Sequence, residues 1–541
     1  MLGSKSFWKK TLSLCLSVTF FFTSLGVSTA QALVRENKFP VDPIQAIIDA
    51  VPTGKTWLDH LNNDLLPFWS MPEAVGTNGN FPTYRCNDGT LYNPTNPACV
   101  GLKDPVPGIV WLDRDYVRAK SRQVFAYGIA YNLTGEAKYL QWAKEGVDFL
   151  RQHALVNQGE KGAYTYFPAQ NGQPATDFTG KPPVPSTPEE EERISQDMTY
   201  ALSGLAMFYY LTRDESVLTD IVKVKDYIFK TYYDKEWDLI AWVNKSYQDT
   251  LSDGSTIEVS NQQRELVAQL DQVYAYMMLL TPILPDELNG VELKKDWEDD
   301  LVHLATIMSE QFYTPDKNIF WGAITDSDIK KLGTDHTDFG HSIKTLWLIY
   351  TIGKVTGHYE FVLFAQEAAP KILEKAYLAD GTWGRRVNLD GTVNPDKEWW
   401  ILAELDQVAA TFSLRDPSYA KYLPTTYGYW FEHMVDHTPG HNGGVWHWVN
   451  AADNKPDLRF PKQHSWKNAF HTFEHAIVGY LTGQEIHDLP SRLYFAFKQL
   501  PTDITQIRPY LYSAKVKSIK SPKIESIPGY GKQVVTFVDI R

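Results

Sequence analysis

The chain predicts an all-α fold: twelve helices paired into a closed double ring, with a small β appendage at the C-terminal end. Three observations predict it. From about residue 45 to residue 482, amphipathic helical segments alternate with loops rich in Gly, Asp and Asn. Turn signals recur between segments: Leu133-Thr134-Gly135, Leu211-Thr212-Arg213-Asp214, Val355-Thr356-Gly357 and Leu481-Thr482-Gly483. Aromatic and histidine signals fall on alternate helices, which a ring of six inner and six outer helices points at one axis. An open solenoid is the alternative.

The periodicity places helices near 43–69, 114–132, 136–153, 195–212, 215–232, 262–282, 294–312, 338–356, 359–377, 398–413, 417–435 and 467–482. Thr187-Pro188-Glu189-Glu190 reads as a capping box with Pro at the first helical position. Asp416-Pro417 reads as the cap of the eleventh helix. Beyond residue 485 the pattern changes. Segments 510–512, 514–519 and 533–538 read as short strands between Pro and Gly turns, a β-rich extension over 486–541 with no visible chemistry.

The first 32 residues read as a secretory signal peptide. Lys5, Lys9 and Lys10 form a basic start, an apolar run follows, and Ala30-Gln31-Ala32 supplies the cleavage signal. An uncleaved membrane anchor is the alternative, and Leu12-Ser13-Leu14-Cys15 is a poor lipobox. This division leaves the barrel at 33–485 and an exported protein, periplasmic or secreted, with no membrane contact after cleavage. Loss of three lysines and no acid moves the formal charge from −13 to −16. An acidic chain without basic clusters argues against nucleic acid as a partner. Cys86 and Cys99 close a short loop, which in an exported protein reads as a disulfide, with metal ligation as the alternative. The 17 Trp and 30 Tyr suit a sugar-binding cleft, since ring faces stack on sugar C–H surfaces.

The chemistry-bearing residues come in four segments. They are Lys120-Ser121-Arg122-Gln123-Val124-Phe125, Gly340-His341, Lys397-Glu398-Trp399-Trp400-Ile401-Leu402-Ala403-Glu404 and Trp466-Lys467-Asn468-Ala469-Phe470-His471. In that order and at those intervals they resemble the N-acylglucosamine 2-epimerase superfamily, which includes cellobiose 2-epimerases and aldose–ketose isomerases. The resemblance spans about residues 50 to 482 and implies an (α/α)6 barrel. It also implies proton transfer on the open-chain form of a reducing sugar, through a cis-enediolate and without a cofactor or metal.

By that resemblance His341 and His471 are the two proton-transfer groups, a role imidazoles suit because they titrate near neutrality. Arg122 holds the oxygen on which negative charge develops, and Glu404 assists ring opening or orients a hydroxyl. Trp399, Trp400 and Trp446 are candidate stacking walls, with His447 the candidate extra histidine of the pocket. His336, His433, His437, His441, His464 and His475 read as loop or surface residues. His471–His475 and His433–His437 have a spacing that can bind zinc, but the expectation is no metal.

Three departures from the family pattern stand out. Lys344 stands where a Glu is usual three residues after the first histidine, and Glu474 where an Arg is usual three after the second. The double inversion suggests a swapped ion pair between them. Gln269 and Gln272 are placed against a family His-x-x-Glu-Ala, so they, Lys344 and Glu474 would reshape the hydrogen bonds to the sugar. Two further functions share the barrel: a carbohydrate-binding protein without turnover, and an inverting glycoside hydrolase. The latter needs two carboxylates about 6.5–9.5 Å apart, for which Glu404, Asp406 and Asp271 are candidates. A small-molecule or oligosaccharide partner and a monomer or homodimer are expected.

Overall fold

The computed structural model describes residues 43–174, 193–250, 254–325 and 331–541. The leader-like segment 1–32 and the capping box at Thr187 lie outside these residues.

Twelve principal helices alternate between an outer and an inner layer. The outer ones are α1 (Gly54–His60), α3 (Ala137–Phe149), α5 (Glu215–Thr231), α7 (Lys294–Ile307), α9 (Tyr359–Ala376) and α11 (Leu423–Tyr429). The inner ones are α2 (Val117–Thr134), α4 (Ser195–Thr212), α6 (Leu266–Gln272), α8 (Phe339–Thr356), α10 (Trp399–Ser413) and α12 (Phe470–Ile486). The inner helices are buried nearly all round, polar residues included, whereas α5 and α9 bury one stripe and expose the other. Each inner helix packs on the next, α6 reaching α8 through its continuation Met278–Leu280, and α12 packs on α2, so the ring is closed. The outer α1 covers α12, sealing the first pair of the chain against the last. This is an (α/α)6 barrel.

Local signals explain most boundaries. Gly135 and Gly357 end α2 and α8 in the left-handed region, at φ 69° and 82°. Asp416 caps as expected, accepting from the Ser418 N–H ahead of the 3-10 turn Pro417–Tyr422. Two expectations need correction. The first predicted helix is split into Pro43–Ala50 and α1, because Pro52 lacks the N–H to continue the ladder. Gly483 does not stop α12, which runs to Ile486.

The C-terminal segment carries a three-stranded antiparallel sheet of Ser491–Phe495, Gln533–Val538 and Lys515–Lys520, with Gln533–Val538 in the centre. Ser491–Phe495 was not expected. Residues 510–512, expected as a strand, form a turn instead, with Tyr510 at φ 56°. The sheet docks on α2, where Tyr131 and Asn132 donate to the Phe495 and Tyr494 carbonyls at 2.8 Å. Cys86 and Cys99 form a disulfide in the loop before α2. No helix among the described residues is long and apolar enough to cross a membrane.

Candidate active site

The N-terminal turns of all six inner helices converge on one cavity of about 460 Å³. Each contributes side chains to the wall: Arg118 and Arg122 from α2, Gln196 and Tyr200 from α4, Asp271 from α6, His341 and Lys344 from α8, Trp399 and Trp400 from α10, and His471 from α12. Spacings of three or four residues put the Arg118/Arg122, Gln196/Tyr200 and His341/Lys344 pairs each on one helix face. Loop residues close the rim, among them His336, Arg385, Glu398, His447, Trp448 and Trp466.

His341 is fixed by its own helix cap. Asp338 accepts from the backbone N–H of His341 at 2.8 Å and from the ring Nδ1 at 2.8 Å. An ionised carboxylate only accepts, so Nδ1 carries the proton and Nε2 is left bare. Burial pulls the ring below its ordinary pKa, although Asp338 opposes this. Gly340 is required beside it, since a Cβ there would lie 2.6 Å from the Trp400 ring. Trp400 therefore packs onto the helix start, its ring 4.5 Å from that of His341 and 5.9 Å from that of His471. Its Nε1 donates to Glu398 at 2.9 Å, and Arg385 donates to the same carboxylate at 2.6 Å.

His471 is held from behind. Its Nδ1 lies 3.1 Å from the Tyr274 hydroxyl and 3.2 Å from Glu404 Oε1. Burial, then the positive charges of Arg122 and Lys344, hold this ring well below its ordinary pKa. Arg122 lies with its guanidinium 3.6 Å over the Tyr200 ring and donates to the Trp466 carbonyl at 3.1 Å.

The structure redistributes several expected roles. His341, His471, Arg122, Trp399, Trp400, Lys344 and His447 do line one cavity. Glu404 and Glu474 lie behind His471, fully buried, so neither faces the cavity directly. Gln269 is turned away: its amide is bonded to the backbone N–H and carbonyl of Ile240. The residue on that helix facing the cavity is Asp271. Trp446 is also outside the wall, because its N–H donates to the Met434 carbonyl and ties it to the outer layer; Trp448 lines the cavity instead.

The swapped pair is corrected too. Lys344 reaches Asp271 at 3.5 Å, and Gln196 donates to the other oxygen of that carboxylate at 2.7 Å. Despite burial, Lys344 draws the Asp271 carboxyl below its usual range and is itself raised by it. Glu474 instead accepts from Tyr274 and from Tyr510. Among the other histidines, His336 lines the cavity 4.9 Å from the His341 ring and 3.2 Å from Glu265. His464 is buried and bonded to His447 at 2.8 Å. His475 points away from His471, packed among Trp57, Tyr427 and Trp430.

Glu404, His471 and Glu474 bring a carboxylate oxygen, a ring nitrogen and a second carboxylate oxygen within 4.8 Å of one another. The Tyr274 hydroxyl is within bonding reach of all three, which ties them into a proton-sharing cluster. Asp338 was legible in the sequence as an acid three residues before a histidine, the helix-cap spacing. Tyr274 and Tyr510 had no such signal.

No family model matches the chain. Curated cellobiose 2-epimerases of Eubacterium cellulosolvens and Dictyoglomus turgidum are 21% and 22% identical to it, each over 76% of this chain and 94% of their own length. The solved cellobiose 2-epimerase of Spirochaeta thermophila superposes with a TM-score of 0.61 at 16% identity, covering 82% of this chain and 98% of that one. That of Bacillus thermoamylovorans gives 0.60 at 17%, and a D-mannose isomerase 0.57 at 19%, each covering 79% of this chain and 98% of the other. The chain is similar at low identity to these curated cellobiose 2-epimerases, and it shares the helical toroid of the solved cellobiose 2-epimerases and of the D-mannose isomerase.

Proposed function

We propose that this protein is a carbohydrate epimerase or isomerase that moves a proton at C2 of an open-chain reducing sugar. The observation that carries the reading is a pair of imidazoles on one cavity, both flanking Trp400, each held at Nδ1 by groups of its own. One imidazole takes the proton from C2; the C2–H electron pair becomes the C1=C2 bond, and the carbonyl π pair moves onto O1. The enediolate charge then lies among Arg122, Lys344 and the positive ends of the inner helices. Return of a proton to the other face of C2 gives the epimer. Return to C1, with the C2 hydroxyl proton passed to O1 and the C2=O bond formed, gives the ketose. Trp399 and Trp400 supply apolar faces for the sugar. The leader-like N-terminus and the Cys86–Cys99 disulfide support an exported setting.

The test is incubation with a panel of reducing mono- and disaccharides in D2O, followed by NMR at C1 and C2. Deuterium should enter at one of these carbons and be absent with His341→Ala and with His471→Ala. Glycosidic cleavage without exchange would favour a hydrolase. Binding with neither would leave a carbohydrate-binding protein.

A further inference from the structure

The C-terminal segment reaches into the barrel beneath the cavity. Tyr210 on α4 donates to the Arg508 carbonyl at 2.6 Å and accepts the Tyr510 N–H at 2.8 Å. The Tyr512 and Thr411 hydroxyls meet at 2.8 Å. These anchors hold Tyr510 in the left-handed region, which is sterically unfavourable for so large a side chain. The ring is buried, and its hydroxyl donates to Glu474 Oε1 at 2.5 Å.

Around Glu474 stand Tyr274 from α6 and its π-helical continuation Val273–Met277, Lys344 from α8, Glu404 and Gln407 from α10, His471 from α12, and Tyr510. Lys344 is the cation beside Glu474, and its ion pair goes to Asp271; Arg122, Lys344, Lys467 and His341 all face His471. Two carboxyl groups so close and so buried do not both ionise, so the pair keeps one proton. Tyr274 bonds to both carboxyl groups, Gln407 donates to Glu404 Oε2 at 3.1 Å, and Tyr510 bonds to Glu474 alone, at the shorter distance of 2.5 Å.

We propose that Tyr510 is a positioning residue for the chemistry at His471: by donating to Glu474 it keeps the shared proton on Glu404, against the His471 ring. Its consequence for turnover rests on the proposed role of His471; the network itself does not. With the proton on Glu404, no carboxylate charge lies against Nδ1, and the imidazole stays neutral. Without the Tyr510 hydroxyl the proton moves to Glu474. An ionised Glu404, 3.2 Å from Nδ1, then draws a proton onto the imidazole. The titration directions agree. Burial and then repulsion from Glu474 hold Glu404 well above the usual carboxylate range. Burial raises Glu474 to about 7, with the bonds from Tyr274 and Tyr510 opposing.

The test is a 15N NMR titration of the full chain with labelled histidine, the His471 ring being assigned by comparison with His471→Asn. Tyr510→Phe should move the His471 protonation midpoint upward by about one pH unit or more. Glu474→Gln should move it likewise, and should do so even if Tyr510→Phe fails to fold. Adding Tyr510→Phe to Glu474→Gln should then shift it no further. An unmoved midpoint in Tyr510→Phe or Glu474→Gln, or a further shift in the double variant, overturns the proposal. Deuterium exchange on the same samples reports separately on the reaction. A shifted midpoint without any exchange in the parent supports the network and sinks the proposed activity. Exchange in the parent with an unmoved midpoint does the reverse.

Discussion

Asp338 both caps α8 and orients His341: its two oxygens take the backbone N–H and the ring Nδ1 of the same residue, each at 2.8 Å. Helix start and imidazole orientation are therefore set by one carboxylate.

Asp338→Asn separates these duties. Asn caps as well as Asp, so stability should change by no more than ~0.5 kcal/mol in chemical denaturation. An amide cannot support the imidazolium, and kcat should fall by about 10²-fold or more. Asp338 also raises the His341 ring against the larger effect of burial. The acid limb of the pH–rate profile should accordingly move to lower pH, since the base then stays neutral further into acid. An unchanged rate would remove Asp338 from the mechanism.

Lys344→Met should destabilise the protein by ~3–5 kcal/mol, because it removes the ion-pair partner of the buried Asp271 carboxylate. Adding Asp271→Asn should restore most of that loss in thermal unfolding. The exchange Lys344→Glu/Glu474→Lys should restore nothing, since these two side chains form no ion pair.

Glu474 should give stability a pH dependence of definite sign. Its folded pKa is raised from 4.5 to about 7. Below the unfolded value both states are protonated and the group contributes nothing. As pH rises from about 4.5 to about 7, the unfolded state releases its proton first, so folding is penalised by up to ~3 kcal/mol. Denaturation curves of Glu474→Gln should lack this loss, so the difference between variant and parent should grow across that window and then level off. A constant difference across the window would contradict the raised carboxyl.

Reduction of the Cys86–Cys99 bond, or the Cys86→Ser/Cys99→Ser variant, should cost ~2–4 kcal/mol, as expected for a loop spanning 13 positions. Calorimetry with and without reductant measures it. An unchanged melting temperature under full reduction would make the bond structurally idle.

Much of the frame was legible because its signals are local. Period-3.6 patterning and the Gly135 and Gly357 stops placed the twelve helices to within a few residues. Arg122, His341, Trp399, Trp400, Lys344 and His471 stood out through segments that resemble a family pattern, and all six lie in the first two turns of their inner helices; His447, on the rim, stood out by its flanking tryptophans. Gln269 was misplaced because a helix pattern leaves rotation ambiguous by a fraction of a turn. Trp446 was misplaced because which of two nearby tryptophans faces inward depends on the strand pairing of Glu398 with Trp448.

The partners of the charged residues were beyond the reach of pattern. Lys344 and Glu474 have inverted signs in the sequence, and pairing them is the economical guess. The ring instead brings Asp271 to Lys344 and delivers Tyr510, from a turn in the C-terminal segment, to Glu474. The sequence by itself determined twelve helices and their alternation, because propensity and periodicity act within a dozen residues; the two histidines stood out through their resemblance to a family pattern. Only the tertiary structure decided which carboxyl faces the cavity, which shares a proton behind it and where the C-terminal segment acts. Those outcomes depend on desolvation and on contacts between residues far apart in the chain, for which no local pattern exists.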